Sequence, residues 1–241
     1  MSTDITVLFN NTTDDERLLP AHGLACLIEG GTRTLLFDTG GDGSILLDNM
    51  DALGKDPAAI DVVVISHLHW DHMGGLWQLL RRSGPVDLYL PKSASKEFRQ
   101  HAEMLGATVT LVDTPMEIIS GIRSTGEMGD KFKEQSLVLD STDGAVVVTG
   151  CAHPGVVAIV ERAREIAGAP VRFVLGGFHL RSTPEKDVAA IVARLENLGV
   201  ARIAGSHCTG DMPMAMLRQV WRDDFVDFGC GTTVRIETPV S

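Results

Sequence analysis

The sequence lacks the segments that direct a chain out of the cytoplasm or into a membrane. Its N-terminus, Met1-Ser2-Thr3-Asp4, has no positively charged region followed by a long apolar run, so we predict no signal peptide. The apolar stretches are short and typical of strands, and we therefore expect no transmembrane helix and no membrane partner. These absences predict a cytoplasmic protein.

Cysteine is scarce and has no metal-finger or dithiol spacing. The four residues are spread along the chain without a CxxC pair: Cys26, Cys151, Cys208 and Cys230. Because no export signal is present, we expect reduced thiols rather than a disulfide framework.

Basic residues are also fewer than acidic residues. Lys and Arg number 21 against 32 Asp and Glu, which gives a net charge of -11, and no basic stripe is visible. A nucleic-acid partner is therefore not expected, although a local basic pocket around Arg33, Arg123 or Arg181 stays open. A small-molecule substrate is the expected partner, and a homo-oligomer is compatible with the sequence.

No linker, low-complexity stretch or repeat divides the 241 residues, of which 44% are hydrophobic. We expect a single domain over residues 1–241. Apolar runs predict strands, and apolar residues at helical spacing predict helices. The strands are expected at 5–9, 24–28, 34–37, 62–65, 86–90, 107–112, 135–140, 145–149, 171–175, 201–205 and 231–236. The helices are expected at 45–53, 75–82, 93–105, 155–167, 185–198 and 212–221. This alternation predicts an α/β layered fold.

A dense group of metal-binding side chains follows the buried run at residues 62–65. Three of the eight histidines, His67, His69 and His72, fall within six residues, together with Asp71. Imidazole and carboxylate are the ligands that Zn, Fe, Mn and Ni accept, so the spacing predicts a metal site. The alternative, a polar loop with chance histidines, is disfavoured by this density.

The run His67-Leu68-His69-Trp70-Asp71-His72 resembles the HxHxDH signature of the metallo-β-lactamase superfamily. The segment Leu36-Phe37-Asp38-Thr39-Gly40 is similar to the first aspartate motif of that family. The resemblance implies a four-layer αββα sandwich with one or two divalent metal ions, Zn first and Fe, Mn or Ni as alternatives. It further implies that His67 and His69 hold one metal, that Asp71 and His72 hold the second, and that Asp38 orients a ligand through a hydrogen bond.

Two later strand ends carry further candidates. His207 resembles the last metal ligand of the superfamily. Cys151 stands where most members place a bridging aspartate, and His153 is the nearby candidate for the third histidine of the first metal. Cys151 would then be a bridging thiolate or, alternatively, a small buried side chain.

A narrower resemblance rests on Gly150-Cys151-Ala152-His153-Pro154-Gly155, Gly176-Gly177-Phe178-His179 and His207-Cys208-Thr209-Gly210. These motifs are similar to the branch of 7,8-dihydropterin-6-methyl-4-(β-D-ribofuranosyl)aminobenzene-5'-phosphate synthase. His179 would line the substrate cleft in this branch, or be a structural histidine. Glu127 is a second candidate substrate contact, or a solvated loop residue.

The resemblance implies a metal-dependent enzyme for a small phosphorylated or pterin-like substrate. The reaction would be hydrolysis through a metal-bound hydroxide, with Asp71 as the catalytic residue, or transfer with departure of diphosphate. Alternatives are a lactone or phosphodiester hydrolase, a nuclease, and a catalytically silent metal-containing sensor of a small ligand.

Overall fold

A computed structural model describes residues 1–239, and these residues form two compact units. The first unit is Met1–Asp113 with Gly229–Thr238, and the second is Thr114–Phe228 with residue 239. Each unit contains one β-sheet and the α-helices that pack on it.

The first unit has seven strands in the order β13-β1-β2-β3-β4-β5-β6. These are β1 (Ser2–Phe9), β2 (Ala25–Glu29), β3 (Leu35–Phe37), β4 (Val62–Val64), β5 (Asp87–Pro91), β6 (Thr108–Val112) and β13 (Thr233–Glu237). The helices are α1 (Gly43–Ala52), α2 (Trp70–Met73), α3 (Leu76–Ser83) and α4 (Lys96–Met104). The four strands from β3 to β6 run parallel, so β3 and β4 end at the same edge of the sheet.

Local sequence explains how these elements form. The strand β4 is three buried valines, which suit a strand covered on both faces. The helix α1 begins at the cap residue Asp42, whose carboxylate accepts the N–H groups of Ser44 and Ile45 at 2.8 and 3.2 Å. Apolar side chains of α1 and α3 then pack into the core of this unit.

The second unit has six strands in the order β12-β11-β10-β9-β8-β7. These are β7 (Met116–Ile119), β8 (Ile122–Ser124), β9 (Leu137–Ser141), β10 (Gly144–Thr149), β11 (Val171–Gly177) and β12 (Arg202–Ser206). The helices are α5 (Val156–Ala167), α6 (Glu185–Asn197) and α7 (Asp211–Trp221). The strands β10, β11 and β12 are parallel, so the loops that leave them lie at one edge of this sheet.

The predicted strands and helices are confirmed to within a few residues at each end. The short helix α2 and the hairpin of β7 and β8 are exceptions, because no helix was predicted at residues 70–73 and no strand between residues 112 and 135. The hairpin has a local explanation. Its strands are only four and three residues long, and Gly121 turns the chain between them with a φ of 77°. Such short strands have too few residues to show a period of two.

Within residues 1–239, no α-helix has the length and apolar character that a membrane span requires.

Candidate metal centre

The loop that leaves β4 carries four side chains of the types that bind transition metals. His67 and His69 lie in the loop, and Asp71 and His72 lie in the short helix α2. His67, Asp71 and His72 are buried, whereas His69 is partly exposed. The His67 ring centroid lies 4.6 Å from that of His69 and 4.2 Å from that of His72. The structure therefore brings the HxHxDH side chains together.

Asp38, at the end of β3, is buried and contacts this group. Its carboxylate accepts hydrogen bonds from the Ser66 N–H at 2.6 Å, the Ser66 hydroxyl at 2.6 Å and His72 Nδ1 at 2.7 Å. Because an ionised carboxylate only accepts, His72 Nδ1 carries a proton. The Nε2 atom of His72 then has a lone pair.

Ser66 determines which ring nitrogen of His67 is protonated. Its hydroxyl donates to Asp38, so it can only accept from His67 Nδ1, which lies 2.9 Å away. His67 is therefore also protonated on Nδ1 and has its lone pair on Nε2. A histidine that binds a metal through one nitrogen commonly donates its other N–H in this way.

The donor set fits a small cation. His67 Nε2 lies 3.1 Å from His69 Nδ1, close to the edge of about 3.3 Å in a tetrahedral zinc site with nitrogen ligands. His72 Nε2 and Asp71 Oδ2 are 3.7 Å apart. Imidazoles and a carboxylate at these separations can share a divalent ion.

His22 contacts Asp71, although the sequence offered no reason to include it. Its Nε2 atom lies 3.2 Å from Asp71 Oδ2, and its ring centroid is 5.8 Å from that of the exposed Trp70. Because 49 positions separate His22 from Asp71, no local pattern could have signalled this contact.

In the second unit, a buried glutamate holds the loop after β10. The Glu134 carboxylate accepts the backbone N–H groups of Cys151 at 2.9 Å, Ala152 at 2.8 Å and His153 at 2.8 Å. Ala152 has a φ of 60°, a conformation that non-glycine residues rarely adopt. Three hydrogen bonds to one carboxylate offset the cost of that conformation. Glu134 was missed by the sequence analysis, because no motif marks its position.

The predicted site residues His153, His179 and His207 all lie in the second unit. The ring centroids of His153 and His179 are 4.3 Å apart, and Phe132 packs against His153 at 5.1 Å. His207 directly follows β12, and a donor atom of its ring lies within 4.8 Å of Cys151 Sγ. Both His179 and His207 have left-handed backbones, with φ values of 49° and 54°. Such strain is concentrated at functional sites in many proteins.

Cys208 was not predicted to take part in the site. A side-chain hydrogen bond with Cys151 lowers the pKa of the Cys208 thiol to about 4, against burial, which raises it. His179 and the charge of His207 lower this pKa further. None of the four cysteines, all within the described residues, forms a disulfide.

Glu127 lies half-buried in the segment between β8 and β9. The next residue, Met128, exchanges backbone hydrogen bonds with Glu134 at 2.8 and 3.0 Å. Glu127 therefore belongs to the segment that supports the loop after β10.

Relatives of known name or structure resemble this chain over most of its length. The 7,8-dihydropterin-6-methyl-4-(β-D-ribofuranosyl)-aminobenzene-5'-phosphate synthase of Methanocaldococcus jannaschii is 28% identical, covering 89% of this chain and 90% of the synthase. Tm1679, described as a metal-dependent hydrolase of the beta-lactamase superfamily, superposes with a TM-score of 0.82 at 26% identity, covering 98% of this chain and 99% of Tm1679. The short form of human tRNase Z shares the fold with a TM-score of 0.66 at 13% identity, covering 98% of this chain and 100% of that chain.

A sequence model of the metallo-beta-lactamase superfamily matches residues 19–165, which include the HxHxDH run and the loop after β10. The predicted fold class is confirmed in its mixed α/β form with two sheets. The resemblance to the synthase branch is confirmed by the match to the synthase. The chain belongs to the metallo-β-lactamase superfamily.

Proposed function

We propose that the chain is a metal-dependent enzyme that binds one or two divalent ions. The proposed ligands are His67, His69, Asp71, His72, His153 and His207, with Cys151 as a further candidate ligand. The observation that carries the proposal is the hydrogen-bond chain from Asp38, which leaves the Nε2 lone pairs of His67 and His72 for a cation. Zinc suits this donor set, and Fe, Mn or Ni would also be accepted.

The reaction follows from what the side chains can do beside such an ion. A bound divalent metal would supply a Lewis acid that polarises a phosphoryl or carbonyl oxygen, and it would lower the pKa of water to about neutral. Asp71 would accept and return a proton, because a carboxylate beside the ion can act as a general base and its Oδ2 atom lies 3.2 Å from His22 Nε2. His22 would hold the Asp71 carboxylate in place.

We propose a small phosphorylated or pterin-like substrate. The support is the synthase relative, whose product name contains a pterin and a phosphate, and the net charge of -11, which disfavours a polynucleotide. Both hydrolysis and transfer with loss of diphosphate agree with this support. Glu127 stays a predicted substrate contact. A single domain over residues 1–241 and a cytoplasmic location also stay predictions.

The metal proposal is tested by replacing His67 or His72 with Ala. We expect each variant to lose at least one equivalent of bound zinc, and hydrolysis of phosphoesters to fall at least 100-fold. Metal content is measured by elemental mass spectrometry after dialysis, and activity is measured on a panel of phosphomonoesters, phosphodiesters, lactones and pterin phosphates.

His101→Ala is the matched control, because His101 stacks on Trp77 at 4.3 Å within the same unit and contacts no proposed ligand in that stack. Its metal content should equal that of the unaltered chain. Full metal content in both His67→Ala and His72→Ala would contradict the proposed metal site. Tight metal and product binding without turnover of any panel member would favour the sensor alternative.

A further inference from the structure

Cys208 belongs to a group of three donor side chains within the second unit. The sulfur atoms of Cys151 and Cys208 and a ring nitrogen of His179 all lie within 4.8 Å of one another. The three residues follow the parallel strands β10, β12 and β11 at the same sheet edge. Cys151 is buried, Cys208 is partly buried and His179 is exposed, so the group is open on one side.

The surroundings of Cys208 suit a sulfur that carries negative charge. The backbone N–H of His179 donates to Cys208 Sγ at 3.3 Å. A donor aimed at sulfur stabilises a metal-bound thiolate, as contacts beyond the ligands do in many metal sites. Gly177 leaves the space that this sulfur needs, because a Cβ atom there would lie 2.8 Å from Cys208 Sγ.

We propose that Cys151, Cys208 and His179 form a binding site for a thiophilic cation, represented by Zn²⁺. Two sulfurs and one imidazole are a known catalytic zinc set, and they leave the fourth coordination position for water or substrate. Thiolate ligands select against Mg²⁺ and Mn²⁺, so this site would prefer zinc to either ion. Both thiols lose their protons to solvent when the ion binds.

The geometry needs only a small adjustment to hold the ion. A tetrahedral edge between two zinc-bound sulfurs is about 3.8 Å, and the donor atoms here lie no more than 4.8 Å apart, so a displacement of at most about 1 Å brings them into range. The inference goes beyond the proposed function, because none of these three residues lies in the first unit and the site does not require His67 or His72. It gives His179 a metal-binding role instead of a substrate contact.

Cobalt substitution tests the site directly. We expect the full chain, freed of metal and titrated with Co²⁺ under reducing conditions, to develop the near-ultraviolet charge-transfer absorption of a thiolate–cobalt bond. Cys208→Ser should lose about half of this absorption, and Cys151→Ser should lose a similar share. Cys230→Ser is the matched control, because Cys230 is a buried cysteine of the first unit, and it should keep the full absorption.

A second measurement needs no substitution. Alkylation of the unaltered chain with iodoacetamide, followed by peptide mass spectrometry, should label Cys208 at least tenfold more slowly when zinc is bound. Equal labelling with and without zinc, or equal cobalt absorption in the unaltered chain and Cys208→Ser, would overturn the inference.

The outcome is separable from that of the proposed function. His72→Ala should retain the thiolate–cobalt absorption even where it loses hydrolysis and one equivalent of zinc. A chain that hydrolyses its substrate with zinc bound but shows no thiolate–cobalt absorption would contradict the Cys151–Cys208–His179 site alone.

Discussion

Asp38 illustrates how much of the candidate site depends on a single side chain. Its carboxylate receives three hydrogen bonds, two from Ser66 and one from His72. The bond to His72 directly determines which nitrogen of that ring is protonated. The bond to the Ser66 hydroxyl determines the protonated nitrogen of His67 indirectly, because that hydroxyl then accepts from His67. The orientation of two proposed ligands is thus decided by a residue that would not touch the metal.

Replacing Asp38 with Asn should weaken metal binding without removing a ligand. The introduced amide group would present N–H atoms where the carboxylate now accepts from Ser66 and His72, so the His72 N–H would lose its acceptor. We expect zinc affinity to fall about 10- to 100-fold, the usual effect of losing such a supporting contact. Competition with a chelator of known affinity measures this change.

The control for this change is Asp42→Asn, because Asn caps a helix about as well as Asp and α1 should be unaffected. Unchanged zinc affinity in Asp38→Asn would show that the hydrogen-bond chain does not control the ligands.

At the scale of elements, the loop after β10 depends on a contact made far from it in sequence. Glu134 satisfies three N–H groups of residues 151–153, and it is itself buried. Hydrogen bonds to a buried charged acceptor contribute more than neutral ones, at about 1.5 to 3 kcal/mol each. The left-handed Ala152 between two candidate ligands is held by these bonds.

Glu134→Gln should lower the free energy of unfolding by about 2 kcal/mol. The amide keeps one accepting oxygen, but its N–H₂ group faces the His153 N–H and repels it. Chemical denaturation followed by circular dichroism measures the loss. Glu196→Gln, on the exposed side of α6, is the control and should change stability by less than about 0.5 kcal/mol. A loss of equal size in both variants would argue against this account of Glu134.

The first unit as a whole should be sensitive to alkaline pH through its buried thiols. Burial raises the pKa of Cys230 from 9.0 to about 11, and burial also raises that of Cys26 well above 9.0. A raised folded-state pKa contributes stability that is complete below the unfolded value and is lost as pH rises through the folded value. We therefore expect the free energy of unfolding to fall between about pH 9 and pH 11.

Urea denaturation at pH 8 and pH 10 measures this dependence, and Cys230→Ala should reduce it. The same slope in the unaltered chain and in Cys230→Ala would show that this thiol is not responsible. Cys230 is suited to the test because its thiol donates to the Asn10 carbonyl at 3.4 Å and lies outside the proposed metal ligands.

Metal binding should stabilise the folded chain, because the proposed ligands are brought together only when the chain is folded. A cation present at 100 times its dissociation constant adds about 2.7 kcal/mol to the free energy of unfolding. For a chain of 241 residues this corresponds to a rise in Tm of about 5 to 10 °C. Differential scanning calorimetry with zinc and with excess chelator measures the difference, and His101→Ala should show the same rise. An identical Tm in both conditions would speak against a bound structural or catalytic ion.

The sequence by itself determined most of the secondary structure and the first cluster of candidate ligands. Buried β-branched runs such as residues 62–64 and the helical spacing of α5 to α7 are local patterns, so they can be recognised without knowledge of the rest of the chain. The HxHxDH run is equally local, because its four candidate ligands lie within six residues.

Only the tertiary structure decided the contacts of Glu134, His22 and Cys208. Glu134 reaches residues 17 to 19 positions away, and Cys208 meets a cysteine 57 positions away. Such contacts depend on which strands are neighbours in the sheet and on the conformation of the loops that leave them. Left-handed φ values at Ala152, His179 and His207 run against the intrinsic preference of non-glycine residues, and no local sequence pattern encodes them.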